Sequence, residues 1–309
     1  MKILVTGTTG WLGAELARRL AQPRPQEERH EVYGLARRPT SIPNVKSIRA
    51  DIASDVDDLR ETLSSHQTQS SPFDVVVHLA GAAGWCTLSR GIEVNVSGTQ
   101  KLLECARNAG TTKFVIASSV GVTGTCSPRH PPVRLPVRNE DGFVAGSPWA
   151  YGKSKDLMEQ TVRFMSGCDA TEGVDYLLIR IGGVVSDPPS PLVHLESAIG
   201  EEVVVDAAAA SCVVSSKEEE EVTVFPEFPL CAIALSDVMR CLDLAVHAPM
   251  KVGVRTITAV GPTAFTRDPV VDVMKSWYGE EKCRDIDMSH HQIEGNEFDP
   301  IYMIPRLLE

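Results

Sequence analysis

Short apolar runs alternate with helix-length amphipathic stretches over the first 180 residues of this 309-residue chain. The predicted strands are Lys2–Thr6, Glu31–Ala36, Val45–Ala50, Phe73–Leu79, Lys113–Ser118 and Tyr176–Ile181. The predicted helices between them are Gly10–Ala21, Val56–Ser65, Ile92–Ala109 and Tyr151–Ser166. Strands that are apolar on both faces and separated by helices form a parallel sheet that is covered on both sides. The sequence therefore predicts an α/β fold with a doubly wound, Rossmann-like parallel sheet.

A glycine-rich turn, Thr6-Gly7-Thr8-Thr9-Gly10-Trp11-Leu12-Gly13, directly follows the first predicted strand and leads into a helix. Glycines here permit a tight turn, a close approach of the backbone to a pyrophosphate, and close packing of the helix on the sheet. The free N–H groups at the start of the helix favour a phosphate. The turn therefore predicts a dinucleotide site lined by Gly7, Thr9, Gly10, Trp11, Leu12 and Gly13.

The end of the second predicted strand indicates which dinucleotide binds. An NAD site usually has a carboxylate there, which accepts hydrogen bonds from the ribose 2′-hydroxyl. This chain has Arg37 and Arg38 instead. Because arginine forms charge-assisted bonds to a 2′-phosphate, we expect NADP(H) as the cofactor, with NAD(H) as the alternative.

The composition of the chain changes after Arg180. Residues 186–191 include three prolines and predict a loop into a second region. We expect a dinucleotide-binding domain over residues 1–182 and a smaller, mainly substrate-binding region over residues 183–309. Within the latter, a helix over Ser236–His247, with Ser236 as its N-cap, and a strand over Arg255–Val260 are expected to return to the first domain.

Five motifs in this order resemble those of the extended short-chain dehydrogenases/reductases, in the epimerase/dehydratase superfamily. They are the glycine turn, Asp51-Ile52, His78-Leu79-Ala80-Gly81, Ser118-Ser119 and Tyr151-Gly152-Lys153-Ser154-Lys155. The resemblance implies that Asp51 bonds the adenine amino group while the Ile52 backbone meets the ring. It further implies a cofactor lining that includes Leu79, Ala80, Gly81, Asn95, Ser118 and Ile181.

Tyr151 and Lys155 lie four residues apart in a sequence that reads as helical, so both are expected on one helix face. A nearby lysine ammonium lowers the pKa of a tyrosine hydroxyl from its ordinary value of about 10, which suits it to proton transfer. Lys155 can also hold the nicotinamide ribose. In the family that the chain resembles, a catalytic hydroxyl precedes a glycine by five positions, and Ser119 precedes Gly124 in this way. We therefore predict catalysis by Ser119, Tyr151 and Lys155.

Three functions are considered: an NADP(H)-dependent carbonyl reductase or alcohol dehydrogenase, a nucleotide-sugar epimerase or dehydratase, and a non-catalytic dinucleotide-binding regulator. Dehydratases of the family carry Thr-Asp-Glu where this chain has Ser119-Val120-Gly121, and neither valine nor glycine transfers a proton. Sugar-nucleotide enzymes commonly have an asparagine at the position of Gly183. A regulator has no need of the three catalytic residues together. The sequence favours the oxidoreductase, with Trp85, Phe143 and Trp149 as candidates for the substrate wall.

Composition and charge limit the kinds of partner that the protein can bind. The formal charge of −11 disfavours nucleic-acid and anionic-membrane surfaces, and no apolar run approaches the roughly 20 residues of a membrane span. Eight cysteines without a C-x-x-C pair, and no secretion signal pattern, indicate reduced thiols in a cytoplasmic protein without a bound metal. We expect a small-molecule substrate. The family resemblance implies a homodimer formed through the helices over Ile92–Ala109 and Tyr151–Ser166.

Overall fold

The computed structural model describes residues 1–23, 29–84, 86–125, 129–168, 173–187, 230–262 and 269–288, together with the backbone of 213–214 and 223–224. The strands are β1 (Lys2–Thr6), β2 (Glu31–Ala36), β3 (Val45–Arg49), β4 (Val75–His78), β5 (Lys113–Ser119), β6 (Asp175–Ile181), β7 (Gly183–Val185), β8 (Val213–Val214), β9 (Thr223–Val224), β10 (Ala232–Ala234) and β11 (Gly253–Ala259). The α-helices are α1 (Trp11–Leu20), α2 (Val56–Ser64), α3 (Leu88–Gly91), α4 (Thr99–Asn108), α5 (Ala150–Cys168), α6 (Leu235–His247), α7 (Val270–Tyr278) and α8 (Glu280–Arg284). A π-helical segment, Ile92–Gly98, joins α3 to α4, and a 3₁₀ turn, Val120–Thr123, follows β5.

Seven strands form one parallel sheet in the order β11-β6-β5-β4-β1-β2-β3. The chain runs outward from β1 to β3, then returns to β4 on the other side of β1 and runs outward again. The strand order therefore reverses between β1 and β4, and ligands of such sheets bind in the crevice at the carboxyl ends of the strands there. The predicted doubly wound α/β fold is confirmed.

Consecutive residues of the central strands face two different apolar layers. Leu4 belongs to a buried cluster with Leu59 of α2, Leu102 of α4 and Met158 of α5. Ile3, one residue earlier, belongs to a second cluster with residues of α1 and α6. Because both faces of the sheet are covered, its central strands are apolar throughout. The edge strand β3 is the exception: it has exposed positions, and the prediction of two apolar faces is wrong there.

The long helix predicted over Ile92–Ala109 is divided. The helical chain starts earlier, at Leu88, and passes through the π-helical segment before α4 ends at Asn108. Such π-helical turns are rare and occur frequently at functional sites. The periodicity of the sequence does not distinguish a π turn from an α turn, which is why the interruption was not predicted.

The region after β6 adds two elements to the first 182 residues. Strand β11 pairs with β6, and α6 packs in the same apolar layer as α1. The prediction that Ser236 caps α6 is wrong, because the helix begins at Leu235 with Ala234 at the N-cap position. The carboxylate of Asp187 instead accepts hydrogen bonds from the N–H and the hydroxyl of Ser236, at 2.6 and 3.0 Å.

Two further sequence predictions concern the described part of the chain. None of its helices is long and apolar enough to cross a membrane. Its cysteines, Cys86, Cys105, Cys168, Cys231, Cys241 and Cys283, are all free thiols, and its side chains form no cluster that could hold a metal.

Candidate cofactor and catalytic site

The glycine turn lies at the carboxyl end of β1 and has a conformation that only glycine accommodates well. Gly7 has a φ of +76°, and its N–H donates to the carbonyl of Leu35 at 2.8 Å. A Cβ on Gly13 would lie 2.3 Å from the carbonyl oxygen of Gly7, so α1 can pack this closely only without a side chain there. No side chain caps the start of α1 at Gly10. The N–H groups of its first turn can therefore bind a phosphate.

A cavity of about 480 Å³ opens beside this turn. Its lining includes these residues predicted from the sequence: Gly7, Thr9, Gly10, Arg37, Arg38, Asp51, Ile52, Leu79, Ala80 and Gly81. It also includes Arg90 and Val94, which the sequence analysis did not identify. The cavity spans the carboxyl ends of β1 to β4. Its position at these strand ends and the uncapped helix fit a dinucleotide.

The two arginines lie where β2 ends. Both are exposed, and they line the cavity together with Asp51, which follows β3. Asp51 also accepts the N–H of Ala53 at 3.0 Å, which makes it part of the turn after β3. Ile52 is buried against the π-helical segment, because a Cβ on Gly98 would lie 3.1 Å from its side chain.

His78 holds the loop after β4 next to the glycine turn. The hydroxyl oxygen of Thr6 accepts hydrogen bonds from the N–H groups of Leu79 and Ala80, at 3.2 and 3.0 Å, so it donates its proton to Nδ1 of His78 at 2.8 Å. Because Nδ1 accepts this hydrogen bond and carries no proton, His78 is neutral. Its Nε2–H donates to the hydroxyl of Thr99 at 2.9 Å. Burial and then the charge of Lys155 lower the pKa of His78 to about 3. His78 is therefore a positioning residue.

Asn95 lies in the π-helical segment, is 1% exposed, and joins the loop after β4 to α5. Its Oδ1 accepts the N–H of Ala82 at 2.7 Å, and its Nδ2 donates to the carbonyl of Ala82 at 3.1 Å. The same Nδ2 donates to the hydroxyl of Ser154 at 2.9 Å, and that hydroxyl donates to the carbonyl of Tyr151 at 2.7 Å. The side chain of Asn95 thus bonds the backbone of Ala82 directly and the backbone of Tyr151 through Ser154. A direct contact of Asn95 with the cofactor stays a prediction.

The three predicted catalytic residues lie on two elements that pack together. Ser119 is the last residue of β5, and its Oγ accepts the N–H of Gly121 at 3.1 Å. A Cβ on Gly152 of α5 would lie 2.5 Å from the carbonyl oxygen of Gly121, so the first turn of α5 lies directly against this segment. The ring of Trp149 contacts Gly121 and lies 5.6 Å from the ring of Tyr151. The first turn of α5, which contains Tyr151, therefore lies beside the segment that follows Ser119.

Lys155 lies one turn after Tyr151 and points toward the cofactor cavity. Its Nζ donates to the carbonyl of Ala117 at 2.8 Å, and a Cβ on Gly81 would lie 3.6 Å from Nζ. Lys155 is 6% exposed, and this burial lowers its pKa to about 8, although the charge of Glu159 opposes the shift. A buried ammonium at this position favours a negative charge on a neighbouring group, as a phenolate or a ribose hydroxyl requires.

Ser118 and Ile181 have different surroundings from those predicted for the cofactor lining. The hydroxyl of Ser118 donates to Glu159 at 2.6 Å, and Glu159 pairs with Arg180, whose Nε and NH2 donate at 2.9 and 2.8 Å. Its hydroxyl is thus already bonded inside the protein. Ile181 is 7% exposed and pairs with Ser119 in the sheet. Contacts of these two residues with the cofactor stay predictions.

Two of the three aromatic candidates for the substrate wall are described. Trp149 covers Gly121, and its indole N–H donates to the carbonyl of Gly84 at 3.4 Å. Phe143 packs on Gly124, where a Cβ would lie 2.9 Å from its ring. Both aromatic rings therefore support the segment after Ser119. Trp85 lies outside the described residues.

The fold and this site define a Rossmann protein with a cavity at the glycine turn, whose helix α5 carries Tyr151 and Lys155 and packs beside the segment after Ser119. The sequence profile of the NAD-dependent epimerase/dehydratase family matches residues 3–191. The chain belongs to this family, which confirms the resemblance found in the sequence. The family is described as NAD-dependent, which agrees with a cavity beside the glycine turn.

Two curated relatives share 30% or less of their aligned sequence with this chain. The chain is 28% identical to the UDP-glucose 4-epimerase of Mus musculus over 213 residues, which are 65% of this chain and 57% of that protein. It is 30% identical to the UDP-glucose 4-epimerase of Erwinia amylovora over 174 residues, 53% of this chain and 48% of that protein. The chain thus spans about half the length of the curated relatives that it matches.

Solved structures share the fold at low identity. A UDP-glucose 4-epimerase from Bifidobacterium longum in complex with NAD+ and UDP superposes with a TM-score of 0.58 at 20% identity, over 84% of this chain and 78% of that one. The uronate dehydrogenase from Agrobacterium tumefaciens superposes with a TM-score of 0.56 at 20% identity, over 84% and 76%.

Proposed function

We propose that this protein is an NADP(H)-dependent oxidoreductase, a carbonyl reductase or alcohol dehydrogenase, that uses Ser119, Tyr151 and Lys155. The proposal depends chiefly on one observation. The catalytic helix α5 contacts both the segment that follows Ser119 and, through the Nζ of Lys155, the end of the cofactor cavity at Gly81. A substrate between these two contacts would meet a hydroxyl, a phenol and the cofactor together.

Each of the three residues has one role in this proposal. A bound nicotinamide dinucleotide supplies or accepts the hydride. Ser119 accepts the N–H of Gly121, which leaves its own proton to be donated to a substrate carbonyl oxygen. Tyr151 transfers the proton, and the buried ammonium of Lys155 stabilises its phenolate form.

The preference for NADP(H) over NAD(H) is supported by the charge at the end of the cavity. Arg37 and Arg38 line the cavity where β2 ends, and the segment Gly34–Arg38 contains no carboxylate. A dianionic 2′-phosphate would gain two charge-assisted contacts there. A 2′-hydroxyl would gain much less from the same two arginines.

A nucleotide-sugar epimerase is the second candidate, because two of the relatives above are UDP-glucose 4-epimerases. One local feature argues against it. Where sugar-nucleotide enzymes commonly have an asparagine, this chain has Gly183, whose N–H donates to the carbonyl of Cys231 at 3.1 Å. Gly183 has no side chain to hold a sugar nucleotide.

The experiment that tests the proposal compares the binding of NADPH and NADH to the wild type and to an Arg37→Ala/Arg38→Ala variant. A panel of carbonyl substrates is then followed at the absorbance of the reduced nicotinamide. We expect tighter binding of NADPH, a loss of that preference in the variant, and turnover of a carbonyl substrate. Equal affinities in both proteins would contradict the NADP(H) assignment. Turnover of UDP- or GDP-sugars alone would favour the epimerase.

The proposal extends to the assembly and location of the protein. We propose a homodimer through the helices on the α4–α5 side of the sheet, where Ile92 and Phe164 are 40% and 74% exposed. Large exposed apolar side chains on one side of a domain favour association. A solution mass that corresponds to one chain would contradict this.

We also propose a cytoplasmic location, which the free thiols of the described residues support.

A further inference from the structure

Arg90 contributes a positive charge to the cofactor cavity from an unexpected element. It lies in the short helix α3, is 39% exposed at its side chain, and lines the cavity together with Gly7, Thr9 and Gly10. No sequence motif of the family pointed to it. Its position depends on the helical chain starting at Leu88 and not at Ile92.

Arg90 and the glycine turn approach the cavity from opposite faces of the sheet. Helix α1, which starts at the glycine turn, packs in the apolar layer that contains Leu16 and Leu20. The segment that follows Arg90 packs in the other layer, through Val94 and Leu102. The N–H groups at the start of α1 and the guanidinium of Arg90 therefore belong to two opposed walls of one cavity.

The three arginines of the cavity follow two different strands. Strand β1 lies between β4 and β2 in the sheet. Arg90 follows β4, whereas Arg37 and Arg38 follow β2, so the two groups flank the glycine turn on either side. Asp51 is the only carboxylate among the cavity's lining residues within the described chain, which leaves the cavity positive in a protein of net charge −11.

We propose that Arg90 binds the pyrophosphate of the dinucleotide and holds it against the glycine turn. This inference rests on the proposed function, and it assigns a residue that acts on NADPH and NADH alike. Arg37 and Arg38 meet only the 2′-phosphate, so they act on NADPH alone. Arginine suits both positions because its planar fork matches the geometry of phosphate oxygens.

The guanidinium of Arg90 can turn to a pyrophosphate at little cost. Its present partner is Glu93, three residues later, at 2.6 Å, and the side chain of Glu93 is 54% exposed. Exposed ion pairs of this kind contribute little to stability. A pyrophosphate, with two negative charges beside a helix N-terminus, is a stronger partner for the same group.

The test measures the dissociation constants of NADPH and NADH for the wild type, Arg90→Ala, Glu93→Gln and Arg60→Ala. Arg60 pairs with Asp57 three residues earlier, on the surface of α2, so Arg60→Ala removes the same charge from an equivalent ion pair elsewhere. We expect Arg90→Ala to weaken the binding of both dinucleotides by about tenfold, the usual scale for one charge-assisted contact. For Glu93→Gln and Arg60→Ala, the dissociation constants of both dinucleotides should not exceed about twice the wild-type values.

Four results would overturn the inference while leaving the proposed function standing. Unchanged binding in Arg90→Ala would show that Arg90 does not contact the cofactor, and a loss for NADPH alone would place it at the 2′-phosphate. An equal loss in Glu93→Gln would show that only the ion pair matters. An equal loss in Arg60→Ala would show a general effect of charge. A wild type that binds neither dinucleotide would instead defeat the proposed function, and this inference with it.

Discussion

The amide of Asn95 donates a 2.9 Å hydrogen bond to the hydroxyl of Ser154, and this bond joins the loop after β4 to α5. Asn95 is 1% exposed and forms two further hydrogen bonds, to the N–H and the carbonyl of Ala82. The positions of this loop and of α5 are therefore coupled through one side chain.

Replacement of Asn95 by Ala should destabilise the protein by about 2 kcal/mol, because the partly buried N–H and carbonyl of Ala82 would lose their partners. Cofactor binding should weaken as well, since the loop lines the cavity. Urea unfolding and dinucleotide titration measure the two effects. Ser154→Ala is the matched control and should cost about 1 kcal/mol, because it leaves both bonds to Ala82 intact. Equal costs for the two variants would contradict this account.

The hydroxyl of Thr6 is predicted to matter for the same loop. Thr6→Val keeps the shape of the side chain but leaves the N–H groups of Leu79 and Ala80, and the Nδ1 of His78, without their partner. We expect a loss of about 2–3 kcal/mol in the free energy of unfolding. Thr6→Ser keeps the hydroxyl and should retain most of the stability. If Thr6→Ser were as unstable as Thr6→Val, the lost methyl packing and not the hydrogen bonds would be responsible.

The low pKa of Lys155 predicts a pH dependence of stability. Its pKa is about 8 in the folded protein and has an ordinary value of 10.5, so the unfolded chain binds more protons between these two pH values. The contribution of Lys155 to the free energy of unfolding should therefore rise with pH from about 8 to about 10, by on the order of 2 kcal/mol. Urea unfolding at several pH values measures this slope. Lys155→Met should lack this part of the slope, and an identical slope in both proteins would contradict the assignment.

The sequence predicted the fold because each central strand must be apolar on both faces. Ile3 and Leu4, for example, pack in different layers, so both had to be apolar. The glycine turn was predictable for a similar reason: Gly13 lies too close to the backbone of Gly7 for any side chain. Such constraints act within a short stretch of chain, so the residue types of that stretch reveal them.

Other features depend on contacts between distant residues and could not be predicted. Ser236 has the residue type of an N-cap, but Asp187, 49 residues earlier, bonds its N–H and hydroxyl. Gly182 follows β6, and only the structure shows that a Cβ there would lie 2.0 Å from the carbonyl oxygen of Cys231. Arg90 was missed because its place in the cavity depends on where α3 begins, and the apolar pattern does not determine that point.

The most direct test of the central claim compares the wild type with Tyr151→Phe for both cofactor binding and carbonyl reduction. The variant keeps the aromatic ring but lacks the hydroxyl that transfers the proton. We predict that kcat falls by about 10²–10⁴-fold, the range for loss of a general acid or base, while the dissociation constant of NADPH changes by less than about twofold. Unchanged turnover of the same substrate by Tyr151→Phe would contradict the account.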